Sequence, residues 1–137
     1  MGLKISTPMA DPISDMFIQI KNAGRVGHET VELRYSKFKY EIAKALERVG
    51  LVKGIDRKGK RVKKTLEIML GYSDTTHPLI SDVQLLSKPS RRLYTPYAKI
   101  QKSRRGGVVL LSTPKGVLSG EEARKGKVGG QLLAEIW

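Results

Sequence analysis

Two segments within the first fifty residues space their apolar side chains as α-helices with one buried face do. In the first segment, that face is formed by Ile13, Met16, Phe17 and Ile20. Asp11 as N-cap and Pro12 as first helical residue predict where this helix begins, and Gly24 predicts where it ends. In the second, from about Lys37 to Val49, the face is formed by Phe38, Ile42, Ala45, Leu46 and Val49, and Gly50 ends it.

Short runs with strand-like patterns surround these helices. Thr30–Arg34 lies between them, and Leu51–Asp56 and Lys64–Leu70 follow the second. The intervening residues 57–61, which include Lys60 and Arg61, are typical of a hairpin loop. The first half is therefore predicted to run helix, strand, helix, strand, strand.

The second half reads as mainly β. After the polar, turn-rich stretch 73–78, strands are predicted at Val83–Leu86, Leu93–Ile100 (interrupted by Pro96), Val108–Leu111 and Gln131–Trp137. Ser119 and Glu122 have the spacing of a capping box, which predicts a short helix to Lys125.

These patterns together predict an α+β fold of the two-layer α/β type. Its N-terminal helix-strand-helix-strand-strand unit would pack against a C-terminal, mainly β unit with one short helix. The predicted domains are residues 1–77, whose first ten form a flexible lead-in, and residues 78–137.

The charge of the chain limits its partners. Its 26 Lys and Arg against 13 Asp and Glu give a formal net charge of +13. Such a chain attracts polyanions at long range. Nucleic acid is the commonest such partner and an anionic membrane surface the second, and charge alone does not choose between RNA and DNA.

Several classes of function have little support. The chain has no cysteine, and His28 and His77 are its only histidines, so neither a metal site nor another cofactor is expected. Residues 120–128 depart from a phosphate-binding P-loop, having five residues between the glycines instead of four. Neither an enzyme nor a small-molecule substrate is therefore expected. No membrane-spanning run or secretory signal is apparent, which predicts a cytoplasmic protein.

One segment, here called the cationic segment (residues 88–105), carries seven cations and no acid. They are Lys88, Arg91, Arg92, Lys99, Lys102, Arg104 and Arg105. Tyr94 and Tyr97 lie among them. Cations neutralise phosphates and tyrosines stack on exposed bases, so this segment is predicted to bind nucleic acid.

A second candidate is Leu111–Val117, read as a loop that leaves an apolar strand. Ser112 and Thr113 supply hydroxyls that can contact base edges and the ribose 2′-OH, Lys115 supplies a cation, and Gly116 permits close backbone approach. An ordinary Ser-Thr turn explains the same residues, and both interpretations stay open at this point.

Several longer motifs resemble the family of the eighth protein of the small ribosomal subunit. They are residues 9–16 (MADPISDM), 20–23 (IKNA), 36–39 (SKFK), 46–52 (LERVGLV), 87–94 (SKPSRRLY), 111–118 (LSTPKGVL), 122–125 (EARK), 128–130 (VGG) and the final Trp137. The order and spacing of these motifs cover about residues 9–137.

The resemblance implies two α/β domains in contact, the second binding RNA. It implies direct binding to the central domain of 16S ribosomal RNA in the small subunit, beside neighbouring ribosomal proteins, and support of subunit assembly. In many bacteria of the family, the same surface represses translation of an mRNA of its own operon. An organelle ribosome stays open as the location.

The resemblance also assigns residues to RNA contact. The reading loop would be Ser112, Thr113, Lys115 and Gly116, supported by Tyr94, Gly130 and Gln131. Together with the cations Lys88, Arg91, Arg92, Arg104 and Arg105, these form the predicted C-terminal site. A second RNA segment would meet Lys21, Asn22 and Arg25.

The chain departs from the family pattern in three places. Pro114 stands where a small hydroxyl residue is usual, Gln131 stands where a glutamate is usual, and about eight residues precede the match. The alternative function is a nucleoid-type DNA-binding protein, which would bind duplex DNA as well as RNA. An enzyme acting on RNA is the third reading.

Overall fold

The structure, a computed structural model, describes residues 12–59, 64–73, 77–88 and 90–137. Within these ranges it has three α-helices, eight strands and one short 3₁₀ helix (Tyr97–Lys99). The helices and strands are α1 (Pro12–Arg25), β1 (Thr30–Arg34), α2 (Lys37–Arg48), β2 (Val52–Lys58), β3 (Thr65–Leu70), β4 (Val83–Leu85), β5 (Tyr94–Thr95), β6 (Val108–Thr113), β7 (Gly116–Ser119), α3 (Gly120–Lys125) and β8 (Gly130–Ile136). The predicted cap Asp11, the lead-in and the loop residues Lys60 and Arg61 lie outside the described residues.

The N-terminal half has the predicted order of helices and strands, but the predicted hairpin loop begins too early. Arg57 and Lys58 belong to β2 because their pairing with β3 continues to Thr65. Its three strands form an antiparallel sheet in the order β1-β3-β2, and Phe17 and Ile20 of α1 are each 1% exposed. Ser36 caps α2 by accepting the Lys39 amide at 3.2 Å. Gly50, with a φ of 82°, lies just beyond the end of α2.

One prediction for α1 is wrong. The helix passes through Gly24 to Arg25, and Gly27, with a φ of 80°, lies in the turn after it. Gly24 serves close packing instead, because a Cβ there would lie 3.2 Å from the Cβ of Pro78.

The C-terminal half is a five-stranded antiparallel sheet in the order β4-β8-β6-β7, with β5 also pairing with β8. β8 is long enough to pair with β5 through its first residues and with β4 through its last. The predicted strand at Leu93–Ile100 is only Tyr94–Thr95 followed by the 3₁₀ helix, because Pro96 has no N–H to continue the pairing.

The predicted loop after Leu111 is also different. Ser112 and Thr113 belong to β6, and Gly116 and Val117 belong to β7, so this stretch is a β-hairpin. The strand β7 was not predicted from the sequence. Ser119 and Glu122 do form the predicted capping box at the start of α3.

The core joins the two halves of the chain. Phe17 of α1 and Ile42 of α2 share one buried cluster with Leu110 and Ile136 of the C-terminal sheet. A smaller cluster of Ile100, Leu111 and Ala123 lies on the other side of that sheet, beneath α3. The α+β class is confirmed; the domain boundary at residue 77 stays a prediction. No helix in the described ranges is long and apolar enough to cross a membrane.

Candidate nucleic-acid interface

The β6–β7 hairpin (residues 108–119) turns through only two residues, Pro114 and Lys115. The ring of Pro114 fixes φ near −65°, which is incompatible with the mirror-image turns that two-residue hairpins usually adopt. Gly116 follows with a φ of 113°, a value that side-chain-bearing residues rarely take. The departure at Pro114 is thus accommodated by the next glycine, and Lys115 is exposed at the tip.

The two hydroxyls of the hairpin have different surroundings. Thr113 Oγ1 donates to the Gly116 carbonyl at 2.8 Å and accepts the Lys115 amide at 3.1 Å, so its only donor hydrogen is used within the turn. Ser112 Oγ has no hydrogen-bond partner among the described residues. It is accessible, because every buried side-chain polar atom in those residues has a hydrogen-bond partner. Ser112 therefore offers the hydroxyl that a ligand can reach.

A row of registered residues crosses the C-terminal sheet beside this hydroxyl. Tyr94 pairs with Gln131, Gln131 with Ser112, and Ser112 with Val117. Directly opposed residues share one face of a sheet. Exposure falls along this Tyr94 row, from 71% at Tyr94 to 4% at Val117, beside α2. The structure thus brings together three predicted site residues that lie far apart in sequence.

Two glycines make the close approach of these strands possible. A Cβ on Gly130 would lie 2.1 Å from the Ser112 carbonyl oxygen, and one on Gly129 would lie 2.3 Å from the Thr95 carbonyl oxygen. Neither position has space for a side chain. Gly130, predicted as an RNA contact, therefore has a structural role in holding the Tyr94 row together.

Three of the cations predicted to bind RNA lie on a hydrogen-bonded turn next to Tyr94. The amides and carbonyls of Lys88 and Arg91 exchange two hydrogen bonds of 2.9 Å. At the base of this turn, the buried Ser87 hydroxyl accepts the Leu93 amide at 2.9 Å. Lys88, Arg91 and Arg92 are all exposed, and no side-chain bond or ion pair of theirs occurs within the described residues. Their charges are therefore available to an anion.

Arg104 and Arg105 differ from each other. Arg105 lies 4.3 Å from the centre of the Trp137 ring, 3.5 Å from a carboxylate oxygen of Glu135 and 3.3 Å from the side-chain oxygen of Gln84. Its charge is already compensated. Arg104 is exposed, with no side-chain partner in the described chain.

The second predicted group of RNA contacts lies at the end of α1 and comprises Lys21, Asn22 and Arg25. It is at the opposite end of β8 from the Tyr94 row. Lys21 Nζ is 3.3 Å from Asp82, which immediately precedes β4. The Val83 amide, then Lys21 and Arg25, hold the pKa of Asp82 below its ordinary value. The last residues of β8 pair with β4 and its first with β5, five residues or roughly 17 Å apart. Lys21, Asn22 and Arg25 are therefore not part of the Tyr94 row.

Comparison with known proteins identifies the family. The family model described as Ribosomal protein S8 matches residues 11–137. The small ribosomal subunit protein uS8 of Thermus aquaticus is 42% identical over 137 residues, covering 94% of this chain and 99% of that protein. The protein of the same name from Syntrophus aciditrophicus is 40% identical over 131 residues, covering 94% and 98%. The chain belongs to the ribosomal protein S8 family.

In this member of the S8 family, one important contact was not predicted from the sequence. The Arg48 guanidinium of α2 donates to both carboxylate oxygens of Glu122, at 2.9 and 3.2 Å, and to the Val117 carbonyl at 2.8 Å. The capping box indicated only the local role of Glu122. Its partner 74 residues earlier carries no sequence signal.

The described residues contain no group of three or more His, Asp or Glu side chains that could hold a metal ion.

Proposed function

We propose that this protein is a structural constituent of the small ribosomal subunit that binds the central domain of 16S ribosomal RNA directly and supports assembly. The observation that carries the proposal is its membership in the S8 family over residues 11–137. Relatives at 40–42% identity bear the name of a small-subunit protein. The proposed role is in the cytoplasmic ribosome, next to other ribosomal proteins, with no catalytic function.

The Tyr94 row and the β6–β7 hairpin are the proposed reading surface. Ser112 presents a hydroxyl that can donate and accept, Gln131 presents an amide that can do both, and Tyr94 presents an exposed ring that can stack. Exposed cations on the neighbouring turn and Lys115 at the hairpin tip supply attraction to phosphates. Specificity would come from the row and affinity from the cations.

The proposed reading surface fits an irregular RNA helix better than a regular one. A-form duplex hides its base edges in a deep, narrow groove that side chains cannot read. A sheet face with three readers needs an opened groove or unpaired bases. We also propose that the same surface binds an mRNA of the protein's own operon and represses its translation, where that mRNA contains a similar RNA site.

A binding comparison tests this function. Wild-type protein is titrated with a 16S central-domain fragment, an unrelated RNA of equal length and duplex DNA. Ser112→Ala is the test variant, and Ser81→Ala, an exposed serine before β4, is the matched control. We expect Ser112→Ala to weaken cognate RNA by roughly 1–3 kcal/mol and Ser81→Ala to change nothing.

The alternative makes a different prediction in the same experiment. A nucleoid-type DNA-binding protein has no need of the 2′-OH and binds duplex DNA as tightly as RNA. Equal wild-type affinity for the central-domain fragment, the unrelated RNA and duplex DNA would overturn the proposed function.

A further inference from the structure

A second group of cations lies on the N-terminal half, where α2 begins. Here Tyr35, just after β1, and Tyr40, in the first turn of α2, place their ring centres 6.1 Å apart at 47°. We call the surface formed by these rings and the cations around them the cation–aromatic patch. Arg57 and Lys64 lie over the rings. Lys37 and Lys39, in the same chain segment as the two tyrosines, are counted with the patch.

The strand register explains why these side chains meet. The Tyr35 amide donates to the Lys64 carbonyl at 3.1 Å, so the two residues lie opposite each other beyond the β1–β3 ladder. Arg57 pairs with the buried Leu66 and therefore lies on the helix-facing side of the sheet. The sheet thus extends beyond the start of α2. It places Arg57 over the Tyr40 ring and Lys64 over the Tyr35 ring.

The rings position these cations without neutralising them. The Arg57 guanidinium carbon is 4.7 Å from the centre of the Tyr40 ring, and Lys64 Nζ is 5.3 Å from that of Tyr35. A cation–π contact restricts the side chain but leaves its charge and most of its N–H donors free. The cations of the patch form no ion pair within the described chain, unlike Lys21 with Asp82 and Arg105 with Glu135.

The patch lies near the β6–β7 hairpin along α2. Lys37 and Glu41 lie one helical turn apart on the same face of α2. A Cβ built on Gly116 would be 3.5 Å from a carboxylate oxygen of Glu41. Lys37 therefore lies about 6 Å along α2 from Glu41, the residue that meets the hairpin, close enough for one RNA to cover the patch and the hairpin.

We propose that the cation–aromatic patch binds the sugar–phosphate backbone of the same RNA that the β6–β7 hairpin reads. The proposal rests on the proposed function for the identity of that RNA. A pre-positioned, uncompensated cation pays little ordering cost on binding a phosphate. The patch carries no sequence preference of its own and extends the contact along the RNA backbone.

Salt-dependent binding of the central-domain fragment tests the patch with a matched pair of variants. Arg57→Gln removes one charge from the patch, whereas Lys53→Gln removes one exposed charge near the other end of β2. We expect Arg57→Gln to flatten the slope of log K against log salt by about 0.7–0.9 and to lower affinity roughly threefold to tenfold. Lys53→Gln should change neither, and thermal melting should show both variants folded.

Two further readouts do not depend on that pair. Tyr40→Phe keeps the ring beneath Arg57 and should retain wild-type affinity, whereas Tyr40→Leu removes the ring and should weaken binding as Arg57→Gln does. In wild-type protein, bound RNA should protect Lys64 and Lys37 from acetylation while Lys53 stays reactive.

The outcomes separate this proposal from the proposed function. Wild-type preference for the central-domain fragment, with equal effects of Arg57→Gln and Lys53→Gln, would overturn the patch and leave the function intact. Loss of that preference with an Arg57-specific slope on unrelated RNA would overturn the function and keep a backbone-binding patch. If Arg57→Gln weakens binding only to phosphatidylserine vesicles and not to RNA, the patch is a membrane surface and the proposal is wrong.

Discussion

Arg48 and Glu122 form a two-pronged ion pair that joins α2 to the start of α3, with nitrogen–oxygen distances of 2.9 and 3.2 Å. One Glu122 oxygen also accepts the Ser119 amide at 2.8 Å and completes the capping box. Because Arg48 donates to the Val117 carbonyl as well, the same guanidinium holds the β6–β7 hairpin against α2. The position of the proposed reading surface thus depends on a residue of the N-terminal half.

This pair makes stability depend on pH. The hydrogen bond from Arg48 is the main cause that holds the pKa of Glu122 below its ordinary value, against the opposing effect of burial. A lowered pKa contributes stability above the unfolded value of about 4.3 and loses it as pH falls through the folded pKa. We expect Glu122→Gln to reduce the free energy of unfolding by roughly 1–2 kcal/mol at neutral pH, less as pH drops below about 4. Urea denaturation from pH 3 to 7 measures this difference.

The neighbouring Glu121 provides the control for Glu122. Within the described part of the chain, it forms only an exposed i,i+4 pair with Lys125, at 3.4 Å. Glu121→Gln should change stability by less than about 0.5 kcal/mol at any pH. A Glu122→Gln deficit that stays constant down to pH 3 would show that the charge of Glu122 is unimportant.

Thr113→Val should destabilise the hairpin itself. The substitution keeps the side-chain shape but removes the bonds to the Gly116 carbonyl and the Lys115 amide. We expect a loss of about 1–2 kcal/mol in the free energy of unfolding, measured by urea denaturation. Ser112→Ala is the internal comparison and should stay within about 0.5 kcal/mol of wild type. Equal stability of all three proteins would mean that the Thr113 bonds contribute nothing.

Gly130→Ala should disturb both folding and RNA binding. Its new Cβ would meet the Ser112 carbonyl, so β6 and β8 must move apart. We expect destabilisation of roughly 1–3 kcal/mol by thermal or urea melting, together with weaker binding of the central-domain fragment. Gly126→Ala is the control, because its Cβ would meet only ordinary contacts of 3.4 Å or more. Wild-type behaviour of Gly130→Ala would refute the close-packing role.

Arg91→Ala combined with Arg92→Ala should change binding without changing the fold. Both side chains are exposed and have no side-chain partner among the described residues. If both contact phosphates, the slope of log K against log salt flattens by about 0.7–0.9 per lost contact. A double variant of Lys53 and Lys125 removes the same charge elsewhere. An identical slope for the two double variants would show that Arg91 and Arg92 are simply solvated.

The order of most elements and the core face of α1 could be predicted from sequence because they depend on local periodicity. Phe17 and Ile20 are buried as their helical spacing requires. Local signals failed where tertiary packing decides the outcome. Gly24 looks like a helix stop, but its missing side chain accommodates Pro78 while the helix continues.

The candidate site was predictable as a set of residues, but not as a geometry. Nothing in the sequence indicates that Thr113 uses its hydroxyl within the turn or that Arg105 is compensated by Glu135. β7 was missed because residues 116–119 are too short to show an alternating pattern. Tyr35, Tyr40, Arg57 and Lys64 come from three separate segments, and only strand register places them together.

The Tyr94 row also has a consequence for which partner changes shape. Its three accessible side chains stand on adjacent hydrogen-bonded strands, about 4.8 Å apart, before any ligand arrives. Under the proposed function, the protein loses little conformational entropy when it binds, because its reading surface is already assembled. The RNA must therefore adapt its backbone to a fixed spacing. Discrimination among RNAs then depends on how easily each one deforms, and a stiff duplex is rejected even where its bases match.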